Sequence, residues 1–191
     1  LGGSSLLADG IITPPISVAS AVEGLRKLYP EIQTVPIVLT IITVLFSIQH
    51  FGTKMVGRSF GPVMLGWFSM LAILGAAWII PNPEVLQALH PGHALRLLFV
   101  HPHGFWILGA IFLCTTGAEA LYSDLGHCGR GNIQVSWMFV KTALLLNYFG
   151  QGAWLLTKVG TNIGDVNPFY EVMPGWFVLP GIIISTCAAI I

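Results

Sequence analysis

The sequence has very few charged residues. Only 8% of its 191 residues are Asp, Glu, Lys or Arg, whereas 54% are hydrophobic and the mean hydropathy is +0.80. Soluble domains carry about 25% charged residues, so this composition excludes that class and predicts a membrane protein. The eight basic residues balance the eight acidic ones, which leaves no basic face for a nucleic acid.

Cysteine is also scarce, and the histidines are poorly placed for metal binding. Cys114, Cys128 and Cys187 are odd in number and far apart, a pattern that fits neither a disulfide framework nor a zinc site. Four of the six histidines fall in the loop strings "HPGH" and "HPH", at His90, His93, His101 and His103. Their spacing matches no familiar metal motif, so we expect no metal cofactor.

The two ends of the sequence are atypical of a complete chain. It starts at Leu1 without Met or a signal peptide, and it stops inside the apolar run "IIISTCAAII" without a helix cap. This pattern predicts a piece of a longer protein.

Six long apolar stretches are separated by polar loops. A helix needs about 20 mostly apolar residues to cross hydrocarbon, and runs of this length without strict alternation favour helices. We therefore expect an all-α polytopic membrane protein with helices over residues 3–25, 34–51, 59–80, 104–123, 134–157 and 175–191.

The loops differ in charge on the two sides of the predicted membrane. The short loops "GTKMVGR" and "DLGHCGRGN" carry Lys54, Arg58 and Arg130 against Asp124, whereas charges of both signs balance in the longer loops. By the positive-inside rule, the short loops face the cytoplasm. The expected location is the plasma membrane, the inner membrane in a bacterium.

The first stretch carries a polar stripe. Asp9, Thr13, Ser17, Ser20 and Glu23 fall within about 120° of a helical wheel. Carboxylate and hydroxyl oxygens suit hard cations and can pass protons, so the stripe indicates an aqueous ion path. The alternative is structural: the hydroxyls bond to the helix backbone or to a neighbouring helix, and Glu23 ends the helix.

A proline pair interrupts the same stretch. Pro14 and Pro15 lack N–H donors, which frees the carbonyls of Gly10 and Ile11. The pair predicts local distortion of the helix. Freed carbonyls can coordinate cations in a cavity, although a plain kink is the alternative.

The fourth stretch combines a carboxylate with hydroxyls. Thr115 and Thr116 precede Glu119 by four and three residues, with Gly117 between them. The hydroxyls reach the side of the helix that bears the carboxylate. Because a charge in hydrocarbon costs about 2.5 kcal/mol or more, we expect Glu119 to face a wet, oxygen-lined cavity in a locally unwound helix. The alternative is a protonated Glu119 or its pairing with Lys141.

The fifth stretch also carries polar side chains. Asn147 and Gln151 are four residues apart. We interpret them as hydrogen-bonding groups between helices rather than as a binding site.

Four strings resemble the KUP/HAK/KT potassium uptake permeases. They are "DGIITPPISVASAVEGL", "FGTKMVGRSFGPVMLGWF", "TGAEALYSDLGH" and "LLLNYFGQGAWLL". The resemblance covers nearly the whole chain, and it implies the portion from the third to the eighth transmembrane helix. It also implies a LeuT-like, APC-superfamily fold with two inverted repeats, of which this chain is a part.

The resemblance further implies a proton-coupled potassium uptake system, a K+/H+ symporter without covalent chemistry. It implies potassium ligands at Thr13, Ser17, Thr116 and Glu119, and proton coupling at Glu23 and Asp9. The expected partners are the potassium ion, protons, the lipid bilayer and, in a homodimer, a second copy; no cofactor is expected.

Three other functions stay open on the sequence. An amino-acid permease of the same fold would bind a substrate carboxylate at helix N-termini and would disfavour acidic lining. A membrane cytochrome or quinone-enzyme subunit would need histidines at midspan. A cation channel would conduct passively.

Overall fold

The computed structural model describes residues 2–49, 54–115, 129–164 and 166–190. Within these ranges the chain is helical and contains no strand. The long helices are α1 (Gly2–Glu23), α3 (Thr34–Gln49), α4 (Lys54–Ile79), α6 (Gly104–Thr115), α7 (Arg130–Leu156) and α9 (Val178–Ile190). They lie over the six predicted stretches, although the second part of the fourth stretch falls outside the described residues.

Shorter helices occupy most of the predicted loops, and a 3₁₀ turn at Gly175–Phe177 begins the sixth predicted stretch. They are α2 (Leu25–Leu28), α5 (Pro91–Val100), α8 (Pro168–Glu171) and two 3₁₀ turns at Pro83–Leu89 and Gly175–Phe177. Side chains cap two of these helices: Gly92 N–H donates to His90 Nδ1 over 3.1 Å, and Phe169 N–H donates to Asn167 Oδ1 over 3.1 Å. Proline follows each cap, at the first helical position, where a missing N–H costs nothing.

Helix α1 continues through Pro14 and Pro15 without a break in its helical backbone. The expected distortion is therefore confined to the lost hydrogen bonds, because neither proline has an N–H to offer the carbonyls of Gly10 and Ile11.

Among the described residues, one helix is long and apolar enough to cross a bilayer on those criteria alone, at Phe60–Ile79. Thr34–Ser47 and Gly175–Ile190 are apolar but shorter. Helix α7 is longer, but it carries Arg130, Lys141 and the amides Asn147 and Gln151, which lower its apolarity.

Helices α4 and α7 meet at two glycines. A Cβ on Gly150 would lie 2.5 Å from the Cα of Gly75, and a Cβ on Gly75 would collide with the carbonyl of Leu146. Helix association in lipid depends on close packing rather than on exclusion of water. Because neither glycine has a Cβ, the backbones of α4 and α7 can come into direct contact at this crossing.

Two apolar clusters complete the packing. The larger one joins α4 to the segment around α8 and to α9, and it contains Met70, Leu71, Leu74, Tyr170, Met173, Val178 and Ile182. The smaller one joins α1 to α3 through Val18, Val22 and Val38. Helix α1 also packs on α9, so α1, α4, α7 and α9 surround a common interior space.

Candidate functional site: a polar cavity between four helices

A cavity of about 750 Å³ lies between α1, α4, α7, α9 and the segment around α8. Its polar lining comes from α1, α7, α9 and that segment: Ser17, Ser20, Asn147, Tyr148, Gln151, Asn167, Tyr170 and Ser185. Apolar side chains such as Trp67 and Leu71 of α4 form the remaining wall. The cavity therefore offers hydroxyl and amide oxygens inside an otherwise apolar helical assembly.

The α1 stripe predicted from the sequence contributes two of these hydroxyls. Ser17 and Ser20 are three residues apart, so they share a helix face, and both line the cavity. Thr13 is exposed and is not among the described residues that line it. Glu23 lines a second pocket instead, so the stripe divides between two spaces.

Helix α7 contributes an amide pair. Leu144, Asn147, Tyr148 and Gln151 follow the spacing of one helix face and all line the cavity. Asn147 is only 6% exposed, and its Oδ1 has no hydrogen-bond partner within the described part of the chain. A buried polar atom without a partner costs about 1–3 kcal/mol. The amide oxygen of Asn147 is therefore energetically unfavourable where it lies.

Tyr170 forms the end of the cavity. Its hydroxyl donates to the Ala21 carbonyl over 2.6 Å and lies 3.3 Å from Ser185 Oγ, which itself donates to the Ile182 carbonyl over 2.9 Å. The ring fits against Gly24, where a Cβ would come within 2.5 Å of it. Helix α1, α8 and α9 are thus tied together at one side chain.

Burial raises the pKa of the Tyr170 hydroxyl above its ordinary value of 10.0; the Ser185 hydrogen bond lowers it, and the charge of Glu23 raises it. Tyr170 lies between the fifth and sixth predicted spans. The group therefore stays neutral at physiological pH and remains a hydrogen-bond donor.

A second pocket of about 630 Å³ lies on the other side of Tyr170. It is charged: Lys27 Nζ lies 3.0 Å from Glu171 Oε1 and donates to the Tyr170 carbonyl over 2.8 Å, and Asn167 Nδ2 donates to Glu23 Oε2 over 3.4 Å. Asn167 and Tyr170 line both pockets. These two side chains therefore form a wall between the inner cavity and the charged pocket.

Several predicted site residues fall outside the described structure. Thr116 and Glu119 lie in the masked segment after α6, and the side chain of Asp9 lies outside the described part of α1. Pairing of Glu119 with Lys141 therefore stays open. Lys141 Nζ itself lies 5.2 Å from the ring centroid of Trp137, a distance at which the aromatic face attracts the cation.

The loop histidines serve the local backbone. His90 caps α5, and His103 N–H donates to His101 Nδ1 over 3.3 Å. Within the described ranges, no group of three or more His, Cys, Asp or Glu side chains could hold a metal ion.

Sequence reasoning gave no site role to six of the eight polar residues that line the cavity. Asn147 and Gln151 were assigned to interhelical hydrogen bonds, yet both face the cavity, and Tyr170 was not identified at all. The spacing of Asn147, Tyr148 and Gln151 on one face was the available signal. No local signal existed for Tyr170, because its partner Ala21 is 149 residues away.

The described part of the chain is helical and surrounds a space lined partly by hydroxyl and amide groups, an arrangement that is consistent with a helical membrane transporter. The chain belongs to the potassium transporter family, because residues 1–191 match the family described as "K+ potassium transporter integral membrane domain". This match confirms the resemblance drawn from the sequence, and it makes the chain part of a membrane protein.

Curated relatives of the chain carry a consistent name. It is 63% identical to a "Probable potassium transport system protein Kup" of Flavobacterium psychrophilum, 60% to one of Cytophaga hutchinsonii and 58% to one of Flavobacterium johnsoniae. Each match covers 100% of this chain and 30% of the relative. The chain thus spans less than a third of the length of these relatives. No solved structure matches it.

Proposed function

We propose that the chain forms the central part of a secondary active potassium transporter, which couples K+ uptake to proton entry across the plasma membrane. The observation that carries the proposal is the cavity between α1, α4, α7 and α9, which is lined partly by hydroxyl and amide groups. Main-chain carbonyl oxygens replace the hydration shell of K+ in potassium channels, so neutral oxygens can bind this cation. The names of the curated relatives support the same cation.

In this proposal, K+ binds to hydroxyl and carboxylate oxygens from two parts of the chain. Thr13 and Ser17 come from α1, and Thr116 and Glu119 come from the segment that follows α6. The cavity position of Ser17 supports its assignment. Further support comes from Pro14 and Pro15, which leave the carbonyls of Gly10 and Ile11 without helix donors. The overall fold proposed is the LeuT-like inverted repeat, in which such sites lie near the midplane of the bilayer.

Proton coupling is assigned to Glu23, with Asp9 as a second acidic group on α1. Glu23 accepts a hydrogen bond from Asn167, one of the two wall residues. A change in the protonation of Glu23 therefore alters a contact of the wall itself. Coupling arises if the protonated and deprotonated forms favour different access states of the transporter. Protons then enter together with K+.

The test is rubidium-86 uptake by the full-length parent protein in cells that lack other potassium uptake systems. Ser17→Ala and Glu119→Gln remove proposed ligand oxygens, so both should raise the KM for Rb+ or abolish uptake. Thr142→Val is the matched control, because Thr142 is exposed on α7 and its hydroxyl donates to the Met138 carbonyl of the same helix. Unchanged uptake by Glu119→Gln and Ser17→Ala would reject the proposed site.

Coupling is tested separately in proteoliposomes of the full-length protein. An inward proton gradient should accelerate Rb+ uptake by the parent. Glu23→Gln should remove this acceleration while Rb+ still exchanges across the membrane, because the ligands remain in place. Equal acceleration of the parent and Glu23→Gln would show that Glu23 carries no coupling.

A further inference from the structure

Helix α5 is short and has two unlike faces. Its ten residues rise about 15 Å, about half the thickness of the hydrocarbon core, so the helix is too short to cross a bilayer. On a helical wheel Leu95, Leu98 and Phe99 share one side, whereas His93 and Arg96 lie on the other. Leu95 is 57% exposed and Phe99 is 80% exposed. The described part of the chain therefore leaves much of the apolar face of α5 uncovered.

Helix α5 is held close to the start of the fourth predicted span. Only three residues separate it from α6. A Cβ on Gly104 would collide with the carbonyl oxygen of Leu97, and the Gly104 N–H donates to the His101 carbonyl over 3.0 Å. The first residue of α6 thus touches the backbone of the last turns of α5. Because the connection is this tight, α5 lies at the level where α6 begins.

Aromatic side chains mark that level as the membrane surface. Phe105 and Trp106 directly follow Gly104, and they are 75% and 76% exposed. The rest of α6, as far as Thr115, carries no charged side chain. Tryptophan is enriched where membrane helices pass from headgroups to hydrocarbon, and the chain belongs to an integral membrane family. Helix α6 therefore enters the bilayer close to Trp106, and α5 lies at the interface.

The polar face of α5 suits lipid headgroups. His93, Arg96 and His101 line one open pocket of about 330 Å³ beside the helix. Within the described ranges Arg96 has no carboxylate partner. His103 N–H donates to His101 Nδ1, which leaves the Nε2 atom of that imidazole for another partner. Every phospholipid carries a phosphate, a group that arginine binds through two parallel hydrogen bonds.

We propose that α5 is an interfacial helix that lies in the plane of the membrane surface, with Leu95 and Phe99 among the upper acyl chains and Arg96 at the lipid phosphates. Amphipathic helices of this kind bury their apolar face about 5–10 Å into the boundary between headgroups and acyl chains. In this position α5 fixes the depth at which α6 enters the bilayer. The inference uses the membrane location of the family and is independent of the transported ion.

Spin labelling of the full-length protein tests the proposal, in liposomes of phosphatidylcholine and phosphatidylglycerol. The nitroxide is attached at Leu95→Cys or, as the matched control on the same turn, at His93→Cys, after the native cysteines have been replaced by serine. Both parent side chains are exposed, and they point about 160° apart on the helix. Accessibility is measured to oxygen, which partitions into lipid, and to a nickel chelate, which stays in water.

The label at position 95 should be several-fold more accessible to oxygen than to the nickel chelate, at a depth of about 5–10 Å. The label at position 93 should show the reverse preference. A third label, at Arg96→Cys, should lie at an intermediate depth, because its position on the helical wheel is between the other two. A label at 96 deeper than the label at 95 would contradict the assigned rotation of α5.

Three other results would overturn the inference. Two labels open to the nickel chelate would place α5 in water above the bilayer, and two labels open to oxygen would place the whole helix in hydrocarbon. Two labels shielded from both reagents would show that another part of the full-length protein covers α5.

Phe99→Cys replaces Leu95→Cys if that variant does not fold, since Phe99 lies on the same face and is exposed. The labels report position rather than uptake. A parent protein that takes up no Rb+ would therefore reject the proposed function and leave the test of α5 intact.

Discussion

The hydroxyl of Tyr170 donates a hydrogen bond to the main-chain carbonyl of Ala21 across 2.6 Å. The same hydroxyl lies 3.3 Å from Ser185 on α9, and Tyr170 as a whole is only 3% exposed. One side chain from a four-residue helix therefore fixes the spacing of α1 and α9 at the wall between the two pockets.

Removal of this hydroxyl should destabilise the protein. Tyr170→Phe keeps the ring in its place beside Gly24 but loses the hydrogen bond to the Ala21 carbonyl and the contact with Ser185, a loss of about 1–3 kcal/mol for a buried group. The thermal midpoint of the purified full-length protein measures the effect. Tyr29→Phe is the matched control, because Tyr29 is 65% exposed and should change the midpoint little. Equal midpoints for the two variants would contradict the structural role of the Tyr170 hydroxyl.

The Tyr170 hydroxyl should also lose its proton at a higher pH than an ordinary tyrosine does. Burial raises its pKa above 10.0, so the folded protein keeps this proton at pH values where the unfolded chain releases it. The associated stability is fully present below pH 10.0 and is lost as the pH rises through the folded pKa. Absorbance titration of tyrosinate in the parent and in Tyr170→Phe gives the pKa by difference. A difference curve centred at or below 10.0 would contradict the prediction.

Lys27 should contribute more to stability than Glu171, although the two form one ion pair. The pair is partly solvated, with side-chain exposures of 26% and 28%, and such pairs contribute about 0–1 kcal/mol. Lys27 also donates to the Tyr170 carbonyl. We therefore expect Glu171→Gln to lower the thermal midpoint slightly and Lys27→Met to lower it further. Added salt should reduce only the part of each fall in thermal midpoint that comes from the Lys27–Glu171 ion pair.

The crossing of α4 and α7 should not tolerate a methyl group. Gly75→Ala places a Cβ against the carbonyl of Leu146, so the helices must separate and the thermal midpoint should fall. Gly66→Ala on the same helix is the control, since its Cβ meets nothing described within 4 Å. It should be neutral or stabilising by about 0.5–1 kcal/mol, because alanine favours the helix. A Gly75→Ala protein as stable as the Gly66→Ala protein would contradict the contact.

The six long helices could be predicted from the sequence, because long apolar stretches alternate with short segments that carry the charged residues. The predicted start of α3 agrees with the structure, and the positions of Ser17 and Ser20 in the cavity wall follow from helical spacing. The predicted starts of α4 and α7 are late, because these helices begin at Lys54 and Arg130, inside the predicted short loops. The short helix α5 was hidden in a predicted loop, because its start depends on a His90 cap that is an uncommon signal.

The cavity was harder to predict from the sequence, because the residues that line it come together only in the folded protein. Asn147 has the same local pattern whether it bonds a neighbouring helix or faces a cavity, and only its unpaired oxygen distinguishes the two. Tyr170 gains its role from Ala21 and Gly24, far away in the chain. Contacts between residues so far apart in the sequence depend on the angles at which helices cross. The spacing of residues along one helix does not determine those angles.

The meeting of Gly75 with Gly150 also restricts how this protein can move. Two backbones in direct contact have one register, because a slide by one turn would drive a full side chain into the other main chain. Helices α4 and α7 should therefore keep one register in any rearrangement of the chain. A change in the width of the interior would have to come from elements that meet this pair through side chains, such as α9, which packs on α4 through the larger apolar cluster.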